Sequence, residues 1–214
     1  MLSPRALLAE LSQRPRILKY RALSTCHRVS GSPLLRQPAL FHGSGAIMLG
    51  REVEFGWPRS ILFHTGYCHL EVSTPDAVIH IGDRVQINNN AFIKSEGPGI
   101  AIGNDSLLGS EVTIYDSDFH DLRAQHRRGG APRMAAVEIE ENVFIGDRVL
   151  ILKGVRIGAN SVIGAGSVVV GSIPAGVIAA GNPARVIGEI PSEIKNQMKL
   201  DHFAHKIEPS ESVY

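Results

Sequence analysis

Between residues 139 and 169 a branched apolar residue returns at every sixth position: Ile139, Ile145, Ile151, Ile157, Ile163 and Val169. Four places after each stands a second small or β-branched residue, in turn Val143, Val149, Val155, Ser161, Ser167 and Ile173. Neither the 3.6-residue period of a helix nor the alternation of a half-buried strand produces this pattern. A coil of three short flat sides does, each side sending one apolar residue inward and each corner favouring Gly, Asn or Asp. Gly146, Gly158 and Gly164, directly after the apolar residue, fit the corner role. The same beat runs upstream through Ile81, Ile87 and Ile93, through Ile102, Leu108 and Ile114, and more loosely through Leu49, Phe55 and Ile61. The chain reads as an all-β solenoid, a parallel β-helix, whose hand the period does not give.

Two interruptions break the beat. KSEGPG (residues 94–99) shifts the phase by three residues and reads as a small corner loop. Ile114 to Ile139 is 25 residues, not a multiple of six, so an insertion over about 115–136 leaves the coil. Loops on a rigid scaffold are where reactive groups concentrate. Its opening, YDSDFHDLRAQHRRGG, sets His120 among Asp116, Asp118 and Asp121.

Composition narrows the rest. Lys and Arg number 22 against 21 Asp and Glu, a net charge of +1, so no bulk charge draws the chain to nucleic acid. Cys26 and Cys68 form neither a CxxC pair nor a disulfide framework, which suits a reducing compartment. No apolar run approaches the ~20 residues of a membrane span. Arg5, Glu10, Arg14, Arg16 and Lys19 interrupt the start, which predicts no export signal and a cytoplasmic protein, at most peripheral at an inner membrane.

Residues 4–24 read as a helix that Pro15 should kink or divide. This basic piece suits weak contact with an anionic membrane surface, although capping the open first coil is the plainer role. Pro191 and Ser192 open a second expected helix, over 191–206, as the C-terminal cap. The expected organisation is a cap over 1–45, the β-helix over 46–190 with its loop at about 115–136, and a helix and tail over 191–214.

The repeats, together with IGAGSVVVGSIPAGVIAAGNPARVIGEI (residues 163–190), resemble the left-handed β-helix acyltransferases with hexapeptide repeats. Within them the likeness is to the sugar O-acetyltransferase branch of galactoside, maltose and capsular polysaccharide enzymes. It runs from about residue 77 to about residue 190, and GNPARVI is its most specific piece. The resemblance implies a homotrimer, acetyl-CoA as co-substrate in clefts between subunits, a saccharide acceptor and no metal.

It also assigns residues. His120 matches the family's general base, and Asn88 stands where an asparagine contacts the acceptor, with Asn90 as the fallback. Asp147 occupies the place of a serine in galactoside enzymes, and Ala165 that of a small residue beside the pantetheine arm. Lys153 and Arg185 are the candidate partners of the CoA phosphates. The chain departs from the pattern at Gly171, where relatives often carry lysine, and at Phe144, where tryptophan is common.

The chemistry needs such a base. A sugar hydroxyl is a poor nucleophile at neutral pH, and histidine has the unperturbed pKa best suited to take its proton. The oxyanion that develops on the thioester carbonyl needs a hydrogen-bond donor. Asp118 is the first candidate to orient the imidazole, Asp116 and Asp121 being the alternatives, and any of the three reads equally as a solvated loop acid.

The leading expectation is an acetyl-CoA-dependent O-acetyltransferase acting on a saccharide bound for a bacterial surface polysaccharide. The alternatives are N-acetylation of a nucleotide-linked amino sugar and a non-catalytic solenoid. A zinc carbonic anhydrase on the same coil needs three histidines, two of them close in the chain, whereas His120 and His126 stand six apart without an earlier partner. Arg123, Arg127, Arg128 and Arg133 give the loop a basic character suited to CoA phosphates or an anionic acceptor.

Overall fold

The computed structural model describes residues 4–190, so the helix expected over 191–206 lies outside the described residues. The chain winds through three parallel sheets in turn. Sheet A stacks Arg28–Ser30, Ala46–Leu49, Val78–Ile81, Ile100–Ile102, Val137–Ile139 and Arg156–Ile157. Sheet B stacks Leu34–Leu35, Glu54–Phe55, Gln86–Ile87, Leu107–Leu108, Phe144–Ile145, Val162–Ile163 and Val177–Gly181, and closes with Ala184–Glu189, antiparallel to its neighbour. Sheet C stacks Ala39–Gly43, Cys68–Val72, Phe92–Ser95, Thr113–Tyr115, Leu150–Ile151 and Val168–Val169.

The six-step residues fill the interior. Ile139, Ile145, Ile151, Ile157, Ile163 and Val169 are all buried, and the register pairs each with its equivalent one turn on, as in Ile139 with Ile157 and Ile145 with Ile163. Burying each such side chain contributes about 1.5–3 kcal/mol, which makes this column the main stabilising feature of the coil. The residues four places on are buried as well, including Ser161 and Ser167, whose hydroxyls donate to the carbonyls of Pro174 and Gly164.

The corner glycines have a different reason than expected. Gly146 and Gly158 do not adopt left-handed backbone; a Cβ on them would lie 2.6 Å and 2.3 Å from backbone nitrogens of the next coil. Close approach between coils excludes a side chain there. The left-handed corner falls three places after each inner isoleucine, at Asn142, Arg148, Gly154, Asn160 and Gly166, again every sixth residue. Gly and Asn adopt this conformation most readily.

Coiling begins earlier than the expected boundary at 46, because Arg28–Ser30 already pairs with Ala46–Met48. Ile61 does not continue the set of Leu49 and Phe55. It is exposed, and the inner position on sheet C is taken by Leu70, paired with Ile93. Residues 57–67 therefore form a second excursion, with Phe63 buried beneath it.

Helix Pro4–Leu23 (α1) runs through Pro15 without a break. It is docked on both sides of the proline: Gln13 is buried, and Arg16 donates to the carbonyls of Phe63 and Gly66 at 3.1 Å and 2.6 Å. Among the described residues no helix is long and apolar enough to cross a membrane.

The outer face of sheet C carries a ladder of rings. His69 stacks on Phe92 at 5.0 Å, Phe92 meets Tyr115 edge-on at 5.6 Å, and Tyr115 meets Phe119 at 4.9 Å. Leu150, Leu152 and Val168 continue this half-buried apolar surface along the coil.

Candidate active site

The long loop leaves sheet C after Tyr115 on a hydrogen-bonded stem. Asp118 N–H donates to Arg133 O, Ala135 N–H donates to Asp116 O, and Ser117 pairs with Met134 between them. The Ser117 hydroxyl accepts the Phe119 N–H at 2.9 Å and donates to Glu96 Oε2 at 2.7 Å. Phe119 turns the chain with a φ of 59°, and Lys94 Nζ lies 4.7 Å over its ring. His120 follows, exposed, one residue beyond this fixed turn. Its imidazole makes no hydrogen bond or ion pair with any described residue.

The three aspartates separate into three roles. Asp116 is fully buried and ties the corner over 95–99 to the stem. It accepts from Ser95 Oγ at 2.7 Å, Glu96 N–H at 2.9 Å, Gly99 N–H at 3.0 Å and Gly97 N–H at 3.4 Å. Asp121 is held by the Arg123 guanidinium, 2.6 Å away, and by the Arg123 N–H, which keep its carboxyl well below the usual range, at about 2. Asp118 accepts from Lys153 Nζ at 2.6 Å through Oδ1, whereas its Oδ2 is buried with no hydrogen-bond partner. Lys153 thus stands at the His120 edge, its charge already met by Asp118.

The other residues singled out in the sequence lie along the edge between sheets B and C. The three asparagines divide the work there. Asn88 is half-buried and donates to Ser60 Oγ at 2.9 Å; Asn89 is fully buried; Asn90 is a left-handed corner whose N–H donates to Gln37 Oε1 at 3.0 Å. Asp147, two coils along this edge from Asn88, accepts the Ser110 N–H at 2.6 Å. Ala165 is exposed on the next coil, packed against Gly146. Arg185, on the last strand of sheet B, is exposed and donates to Ala184 O.

Asn88 and Asp147 share an open pocket of 320 Å³ with Glu54, Trp57, Gln86 and Phe144. Trp57 was not among the residues the six-step pattern marked. The signal was present in the 15-residue step from Phe55 to Leu70, which is not a multiple of six, and in the chain's single tryptophan inside that gap.

One chain keeps the two groups apart. Asn88 precedes its sheet C strand and His120 follows the neighbouring one; at about 3.3 Å per residue the four residues Phe92–Ser95 alone set the two edges roughly 13 Å apart across the sheet. His120, Asp118 and Lys153 occupy one edge of sheet C, and Asn88, Asp147 and Ala165 the other. Among the described residues no three His, Cys, Asp or Glu side chains gather to hold a metal ion.

Residues 136–171 match the family described as bacterial transferase hexapeptide, six repeats. A putative acetyltransferase from Staphylococcus aureus is 34% identical over 149 residues, which span 65% of this chain and 74% of that protein. The chain belongs to the hexapeptide-repeat transferase family. Its coil is accordingly a left-handed parallel β-helix. Galactoside O-acetyltransferase from Lactococcus lactis is 43% identical over 131 residues, 58% of this chain and 62% of that enzyme. Among solved hexapeptide-repeat structures, a galactoside acetyltransferase in complex with coenzyme A superposes with a TM-score of 0.51 at 36% identity, over 57% of this chain and 60% of that one. The chain spans 62% and 63% of the lengths of the Lactococcus lactis and Escherichia coli galactoside enzymes.

Proposed function

We propose that this hexapeptide-repeat protein transfers an acetyl group from acetyl-CoA to a hydroxyl of a saccharide, in a site completed between copies of the chain. The observation that carries the reading is the division of the candidate residues between the two edges of one apolar sheet. If the His120 edge of one copy meets the Asn88 edge of the next, sheet C turns toward a common axis, and three such coils close into a ring. The half-buried ladder of His69, Phe92 and Tyr115, with Leu150, Leu152 and Val168, is the apolar surface such an assembly buries. The galactoside O-acetyltransferase relatives and the CoA complex of one of them support the donor and the acceptor class.

In this reading an imidazole nitrogen of His120 takes the hydroxyl proton as the oxygen attacks the acetyl carbonyl. The new O–C bond forms, the C–S bond breaks, and the proton passes to the departing CoA sulfur. No covalent enzyme intermediate is needed. The free Oδ2 of Asp118 is available to accept the other imidazole N–H and fix the ring, while Lys153 holds Asp118 in place. Asn88 orients the acceptor. Asp147 and Ala165 border the path of the pantetheine arm, and Arg185 meets the CoA phosphates. Surface polysaccharide or its precursors remain the acceptor we favour, in a cytoplasmic homotrimer.

A mixing experiment tests this. His120→Ala and Asn88→Ala should each remove most acetyl transfer, the former by about 10²- to 10⁴-fold as expected for loss of a general base. Co-assembled at equal amounts, the two variants should regain about a quarter of native activity, since one site in four then pairs an intact histidine with an intact asparagine. No regain on mixing would sink the inter-copy site. Parallel assays with hydroxyl and amino sugars separate O- from N-acetylation.

A further inference from the structure

The excursion over residues 57–67 is fixed with unusual thoroughness. Fully buried Asn89 commits its whole amide to it: Oδ1 accepts the Trp57 N–H at 2.9 Å, and Nδ2 donates to the carbonyls of Trp57, Ser60 and Ile61 at 3.0, 3.2 and 2.8 Å. Buried Gln37 donates to Leu62 O at 2.8 Å, and Arg16 reaches over from α1 to Phe63 O and Gly66 O. Phe63 anchors the segment beneath. A backbone tied from three directions holds its first residue still, yet 47% of Trp57 stays in solvent. Across the pocket Phe144 is 49% and Leu107 44% exposed. A half-bare indole held on a fixed backbone, with a second half-bare ring lining the same pocket, is an apolar surface of the kind that ligands cover.

The polar lining narrows that ligand. Gln86, Asn88 and Ser60 offer neutral donors and acceptors between the two rings. Glu54 is ion-paired with Arg36 at 3.2 Å, Asp147 accepts the Ser110 N–H, and no lysine or arginine is among the described residues that line the pocket. On this copy's wall of the site an anionic group would meet the Asp147 carboxylate without a lining cation, so any positive charge there must come from the loop of the neighbouring copy. The volume of 320 Å³ is at the small end of ligand pockets.

We propose that Trp57 is the specificity-determining platform of the acceptor site, stacking the apolar C–H face of an uncharged pyranoside while Asn88 and Gln86 hydrogen-bond its hydroxyls and Phe144 closes the far wall. The inference rests on the sugar acetyltransferase reading above. It assigns the selection of the acceptor to a segment outside the repeats.

Trp57 is the only tryptophan in the chain, so the native protein carries its own probe. Intrinsic emission is titrated with neutral methyl glycopyranosides and with a methyl uronide, and the same panel is assayed for acetyl transfer. The glycoside that is acetylated should change the emission, half-maximally near its KM, and the uronide should not. Loss of the stack in Trp57→Ala should raise acceptor KM about tenfold, with a much smaller effect on KM for acetyl-CoA, and Trp57→Phe should recover part of it. An acetylated glycoside that leaves the emission unchanged, or whose KM ignores Trp57→Ala, overturns the platform while leaving the acetyltransferase reading intact. Preference for the uronide overturns the choice of an uncharged acceptor. If the native protein acetylates nothing in the panel, the sugar reading itself falls, and the platform with it.

Discussion

Replacing Asp116 by alanine removes the acceptor that joins the corner over 95–99 to the stem of the His120 loop. Three of its four hydrogen bonds are short, from Ser95 Oγ at 2.7 Å, Glu96 N–H at 2.9 Å and Gly99 N–H at 3.0 Å. Asp116 and Ser95 have no solvent exposure, so water cannot take over the donors without opening the corner. A hydrogen bond to a charged group contributes about 1.5–3 kcal/mol, and a buried donor left unsatisfied costs about 1–3 kcal/mol. Part of that sum is offset, because the variant no longer desolvates a carboxylate. The net loss for Asp116→Ala should be about 3–5 kcal/mol, a large share of the 5–15 kcal/mol typical of a folded domain. Asp116→Asn keeps one acceptor oxygen but turns an amide N–H₂ toward the remaining donors, and should lose about half as much. Urea unfolding at one fixed protein concentration measures both, since assembly would make the midpoint concentration-dependent. If Asp116→Ala unfolds within about 1 kcal/mol of the native chain, the carboxylate is not what secures the loop stem, and the account of its rigidity is wrong.

Two further outcomes follow from titratable groups that packing shields from water. Burial holds the His69 imidazole below its usual pKa, against the pull of Glu71 Oε2 at 3.7 Å and with Lys94 and the His42 ring also facing it. The unfolded chain therefore binds a proton that the folded one refuses, and stability should fall as pH drops below about 6.5. His69→Phe should make the change in stability between pH 7 and pH 5 shallower; an unaltered pH slope would count against this. Burial also pushes the Cys68 thiol up to about 12, so at pH 8.5 it should resist iodoacetamide in the native protein and react once unfolded. Labelling of native Cys68 followed by mass spectrometry would contradict its enclosure.

The period of six was enough to find the coil because each turn repeats one local requirement: a branched residue inside and a tight corner three places on. Ile145 or Val155 needs no knowledge of distant sequence to be recognised as interior. The same arithmetic exposed the insertion after Ile114 and set His120 at its opening. It failed where an excursion hid within a near-match, since Ile61 keeps the interval while Leu70 keeps the register.

The sequence by itself determined the solenoid, its inner columns and the residue types gathered at the break, because these depend on neighbours six residues away. Only the tertiary structure decided which edge each candidate occupies, that Asp118 faces Lys153, that Asn89 rather than Asn88 is fully enclosed, and that Trp57 overlooks the pocket. Those relations cross between coils and depend on where the phase restarts after each excursion. Such lateral pairings join residues far apart in the chain, 32 positions for Trp57 with Asn89 and 35 for Asp118 with Lys153, which no local repeat encodes.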